Sequence, residues 1–145
     1  MERKILDLGI GFGGTYIKHS ASQRIGLDIR PFDLEMCQRD YGILPLRADA
    51  KMTLPFRESS IEGVDGFFPH DSLVLALIQY DLWSELKRIL KPEGSVQLVF
   101  DSCKGARTIK NRKNRPVLTI ANLHNDIENA AINAGFSTHS LLLSR

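Results

Sequence analysis

An acidic residue and a run of glycines lie together near the start of the chain, in the order Asp7-Leu8-Gly9-Ile10-Gly11-Phe12-Gly13-Gly14. Glycine adopts positive φ at no steric cost and lets a ligand approach the backbone closely. Between a strand and a helix, such a loop places a ligand at the carboxyl end of a sheet. Gly9, Gly11 and Gly14 also fit the weak G-x-G-x-x-G dinucleotide pattern, and a purely structural turn is a further alternative. The loop alone therefore does not identify a ligand.

Asp7 distinguishes between two classes of nucleoside ligand. A dinucleotide carries an anionic pyrophosphate, for which a carboxylate two residues before the first glycine is unfavourable. S-adenosylmethionine carries a sulfonium and an ammonium group and has no phosphate, so the same carboxylate attracts it. Asp7 therefore favours the cationic nucleoside.

Two further acids follow the next two predicted strands. Asp28 ends the second strand, where a carboxylate accepts hydrogen bonds from both ribose hydroxyls; NAD and S-adenosylmethionine sites share this need. A helix N-cap before Arg30-Pro31 is the alternative for Asp28. Asp49 follows the third strand, and its carboxylate suits an exocyclic amine. Both acids thus favour a nucleoside ligand.

The order of these motifs resembles that of the class I methyltransferases. Asp7, Gly9, Gly11 and Gly13 match the family's D-x-G-x-G-x-G signature. Later matches are Asp49-Ala50, Leu54-Pro55-Phe56, Ser60-Ile61-Glu62 (S-F-D in the family), Leu90-Lys91-Pro92-Glu93-Gly94 and Ala134-Gly135-Phe136. The resemblance implies that S-adenosylmethionine is the cofactor and that Asp49 binds its adenine amine, with Ala50 beside the ring. The cofactor-binding residues that it implies are Asp7, Gly9, Gly11, Gly13, Asp28, Ile29, Asp49 and Ala50.

Candidate catalytic residues follow the fourth predicted strand. Methyl transfer is an in-line displacement on a good leaving group, so the enzyme chiefly has to position the acceptor. His70 is the candidate base because its ordinary pKa lies near neutrality; a surface or helix-start histidine is the alternative. Asp65 and Asp71 are candidates for contacting the acceptor or the cofactor, and Asp71 would equally cap a following helix. No Asn or Asp is followed by Pro-Pro and an aromatic residue, which disfavours DNA base methylation.

The elements that must position these residues are short strands alternating with helices. Apolar runs predict strands near residues 4–8, 24–28, 44–48, 63–67, 95–100 and 137–143. Helical spacing predicts helices near 14–20, 32–41, 82–90 and 117–134. Together with the resemblance, this predicts one domain, residues 1–145, with a Rossmann-like three-layer α/β/α sandwich, a mostly parallel sheet and class I methyltransferase topology. We expect this core to lack the family's N-terminal helix and to have little room for its last strand.

Composition excludes several other classes of protein. The chain has 145 residues and a net charge of only +2, which does not by itself imply a polyanionic partner. Cys37 and Cys103 lack metal-ligand spacing, so we expect no metal site and no disulfide framework. No apolar run approaches the ~20 residues that span a bilayer, and the start does not resemble a signal peptide. We therefore expect a cytoplasmic protein without membrane contact.

A basic segment, residues 104–116, leaves the acceptor undecided. Six of its thirteen residues are Lys or Arg. A small-molecule acceptor is the first hypothesis, with the segment a mobile solvated loop. RNA or protein methylation through this loop is the second, although no aromatic residue is available there for base stacking. The third is a cofactor-binding module that a partner subunit or a homodimer completes. A hydride-transferring NAD enzyme is a distant fourth.

Overall fold

The computed structural model describes residues 3–9, 23–29, 35, 38–39, 42–67, 71–100, 107–111, 113–137 and 142–143. The described strands are β1 Lys4–Leu8, β2 Gln23–Asp28, β3 Leu44–Arg47, β4 Ile61–Phe67, β5 Leu90–Phe100, β6 Arg107–Lys110, β7 Pro116–Ile120 and β8 Leu142–Leu143. The described helices are α1 Asp71–Gln79, α2 Leu82–Ile89 and α3 Leu123–Asn133.

Six strands form one sheet in the order β3-β2-β1-β4-β5-β8, and each neighbouring pair is parallel. The chain builds outward from β1 to β3 and then returns to the other side of β1 with β4. In open α/β sheets, ligands bind outside the carboxyl ends of the strands at such a switch point. The prediction of a Rossmann-like parallel sheet is therefore confirmed.

One face of the sheet is buried under the described helices. Strand side chains alternate between faces, and this face presents Leu6, Leu8, Leu27, Val64 and Leu98. These residues form one buried cluster with apolar side chains of all three helices. The opposite face carries Asp7 and the residues in register with it. Of the predicted helices, 14–20 lies outside the described residues, and within 32–41 the structure describes only 35, 38 and 39, in helical conformation.

The prediction of a helix over 117–134 is wrong in its first part. Residues 116–120 form β7, and α3 begins at Leu123. The side chain of Asn122 accepts a hydrogen bond from the Asn125 amide at 3.1 Å, which caps the helix. The β-branched residues before it favour an extended backbone. The cap, rather than the apolar spacing, therefore sets the start of the helix.

The basic segment is also not the loop that the sequence predicted. In its described part, β6 and β7 pair antiparallel as a hairpin. Ile109 and Ile120 are buried in the main core, and the hairpin packs on α1. The Asp71 carboxylate at the start of α1 accepts from Arg107 Nη2 at 2.8 Å and from the Lys110 amide at 3.1 Å. Apolar packing and an ion pair thus fix the β6–β7 hairpin to the domain.

Two sheet boundaries also differ from expectation. β5 begins at Leu90, which pairs with Ile61, and the register then jumps so that Gly63 pairs with Ser95. Residues 91–94, which lie between the helix predicted near 82–90 and the strand predicted near 95–100, are therefore an irregularity within a longer strand. The sixth predicted strand is present as β8, over residues 142–143. None of the described helices is long and apolar enough to cross a membrane.

Candidate functional site

Backbone hydrogen bonds from the residues just after β1 and β3 join the carboxyl ends of the first three strands. The Gly9 amide donates to the Leu27 carbonyl at 2.8 Å, and the Ala48 amide donates to the Asp28 carbonyl at 3.1 Å. These bonds hold the glycine turn, Asp28 and the start of the Ala48–Ala50 segment side by side. Since neighbouring strands lie about 4.8 Å apart, the three ends form a continuous rim about 10 Å long. The acids predicted at positions 28 and 49 therefore lie on one edge of the sheet.

Gly9 has the backbone conformation for which glycine is needed. Its φ is +59°, and a β-carbon placed there would lie 3.6 Å from Leu73 Cδ2 of α1. The chain therefore turns sharply at the end of β1, and α1 packs beside the turn. Gly11 and Gly13, the other predicted cofactor-binding glycines, lie outside the described residues.

Asp28 is 5% exposed, so its carboxylate is held at the rim rather than projecting into solvent. The carbonyl of the following residue, Ile29, accepts from Arg47 Nε at 3.2 Å, which ties the ends of β2 and β3 together. Asp49 Oδ1 accepts from the Lys51 amide at 3.0 Å. Ala50 is half-buried against the core. Local bonds therefore fix the backbone that carries the ribose and adenine candidates.

The segment that follows, with its Leu-Pro-Phe motif, is fastened to α2. Arg88 donates from Nη1 to the Phe56 carbonyl at 2.8 Å and from Nη2 to the Leu54 carbonyl at 2.9 Å. The Leu54 amide donates to Glu85 Oε1 at 2.7 Å, and Glu85 and Arg88 pair with each other at 2.6 Å. The hydrogen bond from Arg88 lowers the pKa of Glu85. We call these two side chains the Glu85–Arg88 clamp.

An ion cluster of one buried and two half-buried side chains lies beneath the glycine turn, on the face of the sheet opposite the described helices. Arg24 Nη1 lies 2.5 Å from Asp7 Oδ1 and 3.0 Å from Asp65 Oδ2. Asp7 is 6% exposed, and its Oδ2 has no hydrogen-bond partner in the part of the chain that the structure describes. Burial raises the pKa of Asp7 from 3.8 to about 6, against the attraction of Arg24, and Asp65 adds to the rise. Two carboxylates and one guanidinium leave this cluster with a surplus negative charge when all three are ionised.

Sequence reasoning missed Arg24. The available signal was a charged residue inside an apolar strand, two positions before Gly26, which is in register with Asp7. In a parallel sheet that spacing puts Arg24 on the same face as Asp7. Asp65, which is in register with Asp7 on β4, lies on this face as well. The partners of a buried charge are thus fixed by strand register rather than by local sequence.

The predicted catalytic residues do not all come together. Asp65 belongs to the ion cluster, and Asp71 is bonded to the hairpin through Arg107. His70 lies outside the described residues. Within the described ranges, no group of three or more metal-ligating side chains is present. The described acids therefore have structural partners already.

A groove of about 340 Å³ lies elsewhere, at the amino-terminal ends of β4 and β5. Its lining residues are Arg3, Glu62, Lys91, Pro92, Glu93 and Gly94. Since ligands of parallel sheets bind at the carboxyl ends, this groove is at the wrong end of the sheet. The rim and the glycine turn remain the candidate site.

Comparison with known proteins agrees with this architecture. A family model described as "Methyltransferase domain" matches residues 6–98. A search of the curated proteins found no significant match. The S-adenosylmethionine-dependent methyltransferase of Mesorhizobium loti is 20% identical, with a TM-score of 0.63 over 94% of this chain and 75% of that one.

Two other solved structures, a cyclase and a methyltransferase in complex with an activator, have a similar fold. The 4+2 cyclase SpnF is 19% identical, with a TM-score of 0.64 over 92% of this chain and 52% of its own. The Haloferax volcanii methyltransferase structure, a complex with the methyltransferase activator Trm112, is 20% identical, with a TM-score of 0.63 over 93% of this chain and 62% of that one. The chain spans about half the length of SpnF. These likenesses show the fold, and the class I topology predicted from sequence is confirmed.

Proposed function

The chain belongs to the methyltransferase domain family, and from that premise we propose that it binds S-adenosylmethionine and transfers the methyl group to an acceptor. The observation that carries this proposal is the ion cluster of buried Asp7 with half-buried Arg24 and Asp65. Its surplus negative charge lies beneath a glycine turn at the switch point of the sheet. A cationic sulfonium ligand complements that charge, whereas a pyrophosphate dinucleotide is repelled by it.

The rim supplies contacts for each part of the cofactor. The positive φ of Gly9 allows the methionine portion to approach the backbone, and the unpartnered Oδ2 of Asp7 offers a buried acceptor nearby. Asp28 is proposed to accept from the ribose hydroxyls, with Ile29 beside them. Asp49 would accept from the adenine amine through its carboxylate, with Ala50 against the ring. When bound, S-adenosylmethionine supplies the activated methyl group.

The chemistry that remains for the protein is mostly positioning. The acceptor must approach the methyl group in line with the bond that breaks. The carboxyl end of β4, the neighbour of β1 in the sheet, lies beside the glycine turn. Asp65 and Asp71 already hold Arg24 and the hairpin, respectively. We therefore assign His70 as the base for an acceptor that must lose a proton.

Calorimetry with two ligands, S-adenosylmethionine and NAD, tests the cofactor assignment. S-adenosylmethionine should give a binding heat and NAD should give none. At a hundred times its dissociation constant, the cofactor should add about 2.7 kcal/mol to the free energy of unfolding. Asp28→Ala should abolish both effects, whereas the control Asp81→Ala, at an exposed acid outside the rim, should leave them unchanged. Binding of NAD without binding of S-adenosylmethionine would overturn the proposal.

The acceptor and any partner require separate assays. From the sequence alone a small molecule is the first hypothesis for the acceptor, whereas the basic β6–β7 hairpin of the structure favours RNA. Because the Haloferax volcanii methyltransferase was solved with an activator, we propose testing this chain for dependence on a partner or on a second copy of itself. Solution mass measurement would show a homodimer directly.

A further inference from the structure

The net positive charge of this chain comes from one segment. Residues 104–115 contain six Lys or Arg, and no Asp or Glu occurs between Asp101 and Asp126. Since the net charge of the whole chain is +2, the remainder carries −4. The small overall charge therefore conceals a strongly basic surface on an acidic domain.

Residues 107–111 and 113–115, the part of this segment that the structure describes, have a defined backbone. Around the turn that joins β6 and β7, the Asn111 side chain accepts from the amides of Lys113 and Arg115, both at 3.0 Å. The Asn111 amide donates to the Arg115 carbonyl at 2.9 Å, and Asn114 takes a φ of +59°. A ligand that binds here does not have to pay for ordering a mobile loop.

The cations of the hairpin differ in how they are used. Arg107 pairs with Asp71 and fastens the hairpin to α1. Lys110, Lys113 and Arg115 are exposed, and within the described ranges they form no ion pair. One cation therefore has a structural role, and three are presented to solvent.

Strand β6 is fastened at the cofactor end of the domain. Asp71, which holds both Arg107 and the Lys110 amide, begins α1 shortly after the carboxyl end of β4. Two residues further on, Leu73 packs beside the Gly9 turn. A long anionic ligand bound along the hairpin would thus extend toward the end of the sheet where the methyl group is proposed to lie.

We propose that the β6–β7 hairpin binds the phosphate backbone of RNA and presents it to the proposed methyltransferase site; the second half of this inference rests on the proposed function. The three exposed cations of the described hairpin, Lys110, Lys113 and Arg115, exceed what one phosphate group needs. The segment 104–116 has no aromatic residue, so its contacts are to phosphates rather than to stacked bases. A protein partner would need an apolar interface core, whereas the turn residues Asn111–Arg115 are all polar or charged. The absence of an Asn/Asp-Pro-Pro-aromatic sequence disfavours DNA bases as acceptors.

Fluorescence anisotropy with a labelled RNA stem–loop tests the binding step without cofactor. The wild-type chain should bind with a dissociation constant that rises steeply with salt. Lys113→Gln/Arg115→Gln removes two phosphate contacts, so the slope of log affinity against log salt should fall by about 2. The control Arg3→Gln/Arg57→Gln removes the same charge from exposed positions outside the hairpin and should leave the slope unchanged. Thermal melts of both variants would verify folding.

Two outcomes would overturn RNA binding by the hairpin: no binding of the stem–loop, or an equal loss of affinity in both double variants. Because phosphate contacts alone do not distinguish RNA from DNA, methyl transfer from S-adenosylmethionine to a DNA duplex of the same sequence, with none to the stem–loop, would overturn RNA as the ligand. Calorimetry with S-adenosylmethionine, run on the same preparations, separates this inference from the cofactor assignment. Cofactor heat without RNA binding refutes only the hairpin's role. RNA binding without cofactor heat refutes the proposed function and leaves the RNA-binding surface in place.

Discussion

Replacing Asp7 by asparagine should stabilise the fold at neutral pH and abolish cofactor binding. Asparagine has nearly the shape of a protonated aspartic acid, so the variant keeps the packing and removes the buried negative charge. The pKa of Asp7 is about 6 in the fold against an ordinary value of 3.8. At about 1.4 kcal/mol per pKa unit, ionised Asp7 costs the folded state about 3 kcal/mol.

The sign of the pH dependence follows from which state binds the proton. Between about pH 4 and pH 6 the folded chain retains the Asp7 proton and the unfolded chain has lost it, so stability from this group falls as pH rises. Below pH 4 both states are protonated and the cost vanishes. The stability difference between Asp7→Asn and wild type should therefore grow from near zero at pH 3.5 to about 3 kcal/mol at pH 7 and stay constant above that.

Urea denaturation at several pH values measures this difference, and calorimetry on the same samples measures cofactor binding. Asp81→Asn, an exposed acid without a side-chain capping bond, is the matched control and should track the wild type. A difference that does not vary with pH, or a variant less stable than the wild type at pH 7, would refute the reasoning. Retained binding of S-adenosylmethionine would refute the role of Asp7 separately.

Three more substitutions test the packing around the site. Arg24→Met leaves Asp7 and Asp65 facing each other without a cation and should cost about 3–5 kcal/mol at pH 7 by urea denaturation; combining it with Asp7→Asn should recover part of the loss, and strict additivity would count against direct contact. Ile109→Ala should cost about 2–5 kcal/mol because this fully buried side chain anchors the hairpin, and an unchanged melting temperature would mean that the hairpin does not pack as described. Asn122→Ala should cost about 1 kcal/mol through loss of the α3 cap, while Asn122→Asp should retain most of the stability; equal losses in both would argue against capping.

The first three strands were predictable because their signal is local. β1 was predicted with its observed bounds, and β2 and β3 to within one residue at either end, since short apolar runs bounded by polar residues define them. Asp28 and Asp49 were placed correctly on one rim because the strand ends of a parallel sheet meet at the same edge. The relative position of these two acids thus follows from the parallel arrangement of the strands and not from the residues next to them.

The features that the sequence did not predict depend on tertiary contacts. α1 was not among the predicted helices, because the run Asp71–Gln79 is apolar nearly all round, as expected of a helix buried on several sides. β7 was read as helix because Ile120 happens to continue the spacing of Leu123 and Ile127. The Asp7–Arg24–Asp65 cluster depends on the register of three strands that are distant in sequence. None of these features is determined by a single window of residues.

The Glu85–Arg88 clamp has a consequence for the kinetics of ligand entry. The amides of Ser59 and Ser60 also donate to carbonyls at the end of α2, at 3.0 and 2.8 Å, so the stretch after Asp49 is tied to the helix at both ends. Deuterium should exchange slowly at Leu54, Ser59 and Ser60 even in the empty protein, and adenine would enter a preformed niche. The association rate would then include no waiting time for this stretch to close.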